Sequence, residues 1–340
     1  MALPLVLIFI IDLLAIYSLY VIVNISLNLE FGYAGIPNFG KVIPVAVGAF
    51  VAGFLPGRLL AIFNGIEMDY IADNVAVVTL TNIWLKNNIG LGFLIFIITI
   101  IIAALVGIAV GFLSSYTLVR LKDDYLAVVL LGLGELVRII GMNYKPIVGG
   151  TLGVQMPDPL AWLPGYLRFP IATVGLIVFA ILCYIYAEKL VRSPLGRMLR
   201  GIRDNEIASN SLGKNIKMDR IKILLIASAM GAIAGALFAF YTGGVIAFAF
   251  NRLNWTFWPF VMVLLGGMAN NKGVAVGTLI FVTVRKLISF YKSAFQPFIP
   301  FDAVWLDLLL LGVVLLLVLV YRPQGLIPEK TTPTVKHKVK

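Results

Sequence analysis

Apolar runs of about 20 residues, the length of helix that crosses the ~30 Å hydrocarbon core of a bilayer, recur from one end of this chain to the other. They fall at about 3–27, 42–63, 91–119, 125–142, 169–187, 221–245, 274–290 and 304–321, with a short one at 257–265. Of 340 residues, 61% are hydrophobic and 13% charged, where a soluble domain carries about 25% charged. The pattern predicts an all-α polytopic membrane protein with about nine transmembrane helices (range eight to ten), in one membrane domain over 1–328. The first run lacks a basic leader and a cleavage site, so it is read as a retained helix.

The formal charge of +11 is concentrated in two places. Segment 192–222 carries Arg192, Arg197, Arg200, Arg203, Lys214, Lys217, Arg220 and Lys222 against Asp204, Glu206 and Asp219. Segment 322–340 carries five basic residues against Glu329, and 329–340 reads as a disordered basic tail. Basic stretches bordering spans mark the cytoplasmic side, so the charge implies a lipid bilayer and no nucleic-acid partner. With both segments inside, an even number of crossings must separate them. The polar, glycine-rich stretch Gly266-Gly267-Met268-Ala269-Asn270-Asn271-Lys272-Gly273 supplies the break that makes the number even. The same counting puts 64–88 and the N-terminus outside.

Little catalytic chemistry is available. The single cysteine, Cys183, sits in an apolar run, and the single histidine, His337, lies in the tail. That removes disulfides, thiolate clusters, His–metal sites and His-dependent triads from the membrane domain. No phosphate-binding G-x-x-x-x-G-K-[ST] loop is present. No catalytic residue, metal site or cofactor of this chain's own is expected.

Ionisable residues within spans are costly, about 2.5–3.5 kcal/mol each on insertion scales, and tend to be paired or functional. Glu135 and Arg138 share a helix face at i, i+3, as an internal ion pair or as the lining of a pathway. Asp12 is expected to find a partner on another helix. The stretch 31–40 (Phe-Gly-Tyr-Ala-Gly-Ile-Pro-Asn-Phe-Gly) cannot hold a regular helix. Interrupted helices often line small-solute sites, because their free ends offer unpaired N–H and C=O groups. Tyr33, Gly35, Asn38 and Gly40 in that stretch, with Glu135, Arg138, Gly150, Gly266 and Gly267, are therefore candidate pathway residues. Small-x-x-x-small pairs at Gly53/Gly57, Gly107/Gly111, Gly231/Gly235 and Gly273/Gly277 are read as helix packing.

Within the basic interruption, Ser193-Pro194 reads as a helix start. Leu195, Met198, Leu199 and Ile202 recur at helical spacing beside the arginines. Asp204 or Asn205 can cap a second short helix over 206–212, stopped by Gly213, and Asp219 can cap the next span. Two short surface helices with one apolar face suit docking on a cytoplasmic partner better than lipid binding alone.

The run 193–209 (Ser-Pro-Leu-Gly-Arg-Met-Leu-Arg-Gly-Ile-Arg-Asp-Asn-Glu-Ile-Ala-Ser), followed by Leu212-Gly213, resembles the cytoplasmic loop of LivM-type permeases, membrane subunits of ABC importers for branched-chain amino acids. Gly32-Tyr33-Ala34-Gly35 with Gly40 and Gly48-Ala49-Phe50 is similar to the family's first glycine-rich motif. Asp124-Tyr125 through Gly134-Glu135-Leu136-Val137-Arg138 is similar to its central helix, and 149–153 to the turn after it. Leu265-Gly266-Gly267 with Gly273 and Gly277 is similar to its late motif, and Arg322-Pro323-Gln324-Gly325-Leu326 to its C-terminal signature. The resemblance spans about 24–327. The chain departs from the family at Asn38-Phe39-Gly40-Lys41, where the family often has Ser-x-Gly-His, and adds Pro37 and Pro44.

The resemblance implies a permease subunit in the cell membrane that moves leucine, isoleucine or valine by alternating access. Its implied partners are a homologous second permease chain, two cytoplasmic ABC ATPases that use ATP and Mg, and an extracytoplasmic solute-binding protein. It assigns ATPase coupling to the loop 192–219, where Leu195, Gly196, Arg197, Arg200, Asn205, Glu206, Ala208 and Gly213 stand. A urea or short-amide permease shares the pattern. An ion-coupled transporter using Asp12 or Glu135, or a membrane enzyme, belongs to other classes.

Overall fold

The computed structural model of the protein describes residues 4–121, 123–213, 215–291 and 305–329. His337 and the expected tail beyond Glu329 lie outside these residues, as does Lys214 of the basic interruption.

The described chain is a helical bundle. Its helices are α1 (Leu5–Leu27), α2 (Val42–Phe63), α3 (Asn74–Leu85), α4 (Ile89–Arg120), α5 (Asp123–Asn143), α6 (Lys145–Val148), α7 (Gly165–Arg192), α8 (Pro194–Asp204), α9 (Glu206–Ser211), α10 (Ile216–Thr242), α11 (Trp258–Gly266), α12 (Asn271–Phe290) and α13 (Trp305–Tyr321). Seven of them are long and apolar enough to cross a membrane: α1 with the turn after it, α2, α4, α5, α7, α10 and α12. The apolar segment Leu253–Gly266 and the 17-residue α13 lie on two further apolar runs but fall short of that length, so seven such helices stand among the described residues where about nine spans were expected. Each matches one of the nine apolar runs in the sequence.

α10 is the central helix, packed by α1, α2, α4 and α7. Its contact with α2 is backbone on backbone: a Cβ on Gly48 would stand 2.0 Å from the Ala232 carbonyl oxygen, and one on Gly235 1.9 Å from that of Val45. Gly107 and Gly111 of α4 meet Ala232 and Ser228 of the same helix. Close backbone approach of this kind drives helix association in lipid, where hydrophobicity gives no preference for helix over solvent chain. The packing reading of the small-residue pairs is the structural one.

The basic interruption forms α8 and α9 at one end of the bundle, hereafter the basic end. The break at 266–273 is a true turn: α11 ends at Gly266, Gly267 takes φ +113°, and Asn270 caps α12 by accepting from the backbone N–H of Lys272 and Gly273. α11 and α12 are thus a hairpin whose tip lies at the basic end, and α13 returns there too, so Glu329 meets Arg203 of α8.

At the opposite end a short antiparallel pair, β1 (Val154–Gln155) and β2 (Gly244–Val245), joins the turn after α5 to the end of α10. The region 64–88, expected as a loop, contains α3. Val77, Val78, Thr81 and Leu85 form one buried face at helical spacing. At 12 residues and about 18 Å it is too short to span.

Candidate functional site

Two regions of the bundle break regular structure near charged groups. The first is the end of α1. The helix widens into a π-helical turn at Asn28–Tyr33, then runs irregularly from Ala34 to Lys41 before α2 begins. Tyr33, Asn38 and Gly40 are buried here, and Gly35 takes φ +70°. The sequence reading of a broken helix holds, with the break after Tyr33 rather than from Phe31.

Glu30 and Lys41 clasp this re-entrant segment. Their charged groups lie 3.0 Å apart with both side chains 0% exposed. Asn38 donates to Glu30 Oε1 at 3.2 Å and accepts from the Gly40 N–H at 2.9 Å, while Lys41 also donates to the Ala227 carbonyl of α10 at 3.3 Å. Sequence reasoning missed this pair. The signal was present: two opposite charges flank a glycine–proline break between apolar runs, where a lone ion is costly.

A polar chain extends from the same turn to the basic end. Asn28 accepts from the Ala269 N–H at 2.9 Å and donates to Asn271 at 3.0 Å, and Asn271 donates to Glu188 of α7 at 3.0 Å. Ala269 is held at φ +56° by this seat, beside Gly266 and Gly267. Gly267 packs under the Ile327 carbonyl, where a Cβ would come within 2.3 Å.

The other pathway candidates lie elsewhere. Glu135 and Arg138 pair with each other on α5, both partly exposed, with Arg138 over the Phe248 ring at 5.6 Å. Gly150, with φ +68°, lies at the far end beside Met142 and Lys145. Asp12 pairs with Lys286 of α12, so its expected partner on another helix is found. Among the described residues these candidates are spread over separate parts of the bundle. A vestibule of about 1140 Å³ opens at the end opposite α8, lined by Arg58, Asp69, Asn74, Lys145, Phe238 and Phe250 among others.

The second region is α8–α9. α8 starts at Pro194 as expected, although Ser193 turns its hydroxyl to the Leu190 carbonyl rather than capping. Its apolar face is turned inward: Leu199 and Ile202 are buried, Leu195 is half-buried, and Gly196 lies against the Val191 backbone. Arg200 is half-buried as well, donating to the Val191 carbonyl at 3.0 Å and stacking toward Tyr33. Arg197, Asn205, Glu206, Ala208 and Gly213 are exposed.

Asn205 caps α9 by accepting from Ala208 N–H at 2.9 Å, and Gly213, just past the end of the helix, takes φ +72°. Glu206 holds Arg220 of α10 at 3.1 Å. α10 is capped by Asn215, not Asp219, which lies one turn inside. The shift arises because the helix starts at Ile216, earlier than its apolar run. Ile207 and Leu212, 82% and 77% exposed, form the apolar tip of this end. Burial works against the charge of Arg203, but Glu329 and then Asp204 outweigh it, so its pKa stands above the ordinary guanidinium value.

The described residues thus form a multi-pass helical domain with a broken first span and, at one end, two short helices, of which α9 is capped by Asn205. The chain belongs to the family of branched-chain amino acid transport system permease components, whose model matches residues 9–319. It is 44% identical to the "probable branched-chain amino acid transport permease protein LivM" of Methanocaldococcus jannaschii, over 95% of both chains. It is 28% identical to the high-affinity branched-chain amino acid transport system permease proteins LivM of Escherichia coli and Salmonella typhimurium, over 96% of this chain and 72% of each relative. No solved structure matches the chain.

Proposed function

We propose that this permease subunit carries branched-chain amino acids across the cell membrane by alternating access, driven by two separate ABC ATPases docked on α8–α9. A second, homologous permease chain would complete the pathway, and an extracytoplasmic binding protein would deliver the solute. ATP and Mg would be used by the partners, and this chain would bind no cofactor and catalyse no reaction. The observation that carries the reading is the α9 tip. Ile207 and Leu212 stand out in solvent on and just after α9, whose N-terminal end is fixed by the Asn205 cap and by the Glu206–Arg220 pair. Exposed apolar anchors on a short helix fit a hydrophobic groove on a partner.

The coupling role then divides. Arg197, Asn205, Glu206, Ala208 and Gly213 stand on the exposed side with Ile207 and Leu212. Leu195, Gly196 and Arg200 bind the coupling element to α7 and the re-entrant turn, so their contribution is to stiffness.

The departure at Asn38–Lys41 bears on the amino-acid solute, and a urea or short-amide permease shares the family pattern. Asn38 and Lys41 are engaged with Glu30 and backbone groups, which supports reading the departure as an internal compensation rather than a change of solute. The ion-coupled reading loses support in the same way, since Asp12 and Glu135 are each paired with a cation.

Copurification tests the docking. The wild-type chain should bring ATPase subunits with it from native membranes, and Ile207→Asp with Leu212→Asp should release them while the permease remains folded. Undiminished ATPase recovery with the double variant would refute the assignment of this tip.

A further inference from the structure

Arg203 joins three parts of the molecule. It belongs to α8, in the coupling element. Its Nη1 donates to the Gly32 carbonyl at 2.7 Å, in the π-helical turn that carries Glu30. Its Nη2 donates to Glu329 Oε2 at 2.8 Å. Its aliphatic stem fills the space over Gly35, where a Cβ would stand 3.0 Å from Arg203 Cγ.

Glu329 ends a strap that is itself fastened to the α11–α12 turn. Leu326 N–H donates to the Leu265 carbonyl and Ile327 N–H to that of Gly266, while Asn270 donates to the carbonyls of Ile327 and Pro328. The re-entrant turn rests on the same break, because Gly32 packs on the Ala269 N–H through Asn28. Beyond the turn, Glu30 grips Lys41 at the start of α2 and Lys41 grips α10. A displacement of α8 therefore has a polar route to the interior through the Arg203 guanidinium, beside the Arg200–Tyr33 contact.

We propose that Arg203 is a positioning residue for transport. It is the strut by which the coupling element moves the re-entrant segment, with Glu329 of the C-terminal strap holding the guanidinium in line. The fork geometry of Arg suits it to hold two acceptors at once, which a lysine ammonium on a flexible stem does less well. The proposal rests on the reading of α8–α9 as an ATPase dock, and adds the route by which the docked motion enters the membrane domain.

The test uses the complete transporter, copurified with its partners and reconstituted in liposomes, with leucine uptake and ATP hydrolysis measured together. In Arg203→Gln, uptake per ATP hydrolysed is expected to fall ~10-fold while subunit recovery and solute-independent hydrolysis stay within ~2-fold of wild type. Arg203→Lys should also lose coupling. Glu329→Gln should fall less, ~3-fold, because the Gly32 contact survives. Unchanged uptake per ATP in Arg203→Gln overturns the proposal. So does a parallel fall in uptake, hydrolysis and recovery, which marks a merely structural arginine. Wild-type uptake that ignores ATP overturns the ABC reading together with the proposal, and is seen before any variant is made.

Discussion

Lys41 and Glu30 lie 3.0 Å apart with both side chains wholly buried, and between them the chain reverses direction inside the bundle. Removing one partner of such a pair strands the other charge. Glu30→Gln or Lys41→Met should each destabilise the protein by about 3–5 kcal/mol. The double variant should be less damaging than the sum of the two. Thermal unfolding of the purified protein in detergent, arranged as a double-mutant cycle, reads the coupling; strictly additive losses would contradict the pair.

The α2–α10 contact sets a second expectation. Gly48→Ala and Gly235→Ala place a Cβ about 2 Å from a backbone carbonyl, which forces the helices apart at a cost on the order of 1–3 kcal/mol. Gly175→Ala on α7 meets no atom within 4 Å and is the matched control, expected to be neutral. Yield and melting temperature of the three variants check this.

Asp12 and Glu135 are paired with Lys286 and Arg138 and are assigned no coupling ion. Asp12→Asn and Glu135→Gln should therefore keep ATP-driven uptake within about 3-fold of wild type, losing only the modest worth of partly exposed pairs. Abolished uptake with an intact complex in either variant would return the ion-coupled reading.

At the coupling tip, Asn205→Ala removes the cap of α9, worth about 1 kcal/mol to a helix too short to persist without one. Replacing Glu206 or Gly213 disturbs the same tip. Each is expected to abolish solute-stimulated ATPase activity while the complex still assembles. Hydrolysis measured with and without solute decides it.

The nine apolar runs gave the spans because lipid makes length and apolarity nearly sufficient for a crossing helix. Charge counting likewise identified the 266–273 turn, since a single helix through it would separate two basic segments that share an end. What stayed hidden is tertiary. The inward turn of α8's apolar face exchanged Leu199 and Ile202 for Ile207 and Leu212 as the exposed tip, and amphipathicity does not say which side faces the protein. The Glu30–Lys41 and Arg203–Glu329 pairings escaped notice because the partners lie 11 and 126 residues apart in sequence. Glu329 also stood at the start of a segment read as disordered, yet it is held by Arg203.

The central claim is that this permease moves branched-chain amino acids at the expense of ATP hydrolysed by partners docked at its basic end. Leucine uptake into liposomes holding the reconstituted complex, with binding protein outside and ATP inside, tests it most directly. Uptake should require hydrolysable ATP, persist when ion gradients are collapsed, and be competed by isoleucine and valine but not by urea. Uptake that runs on an ion gradient without ATP, or that urea competes, would contradict the account.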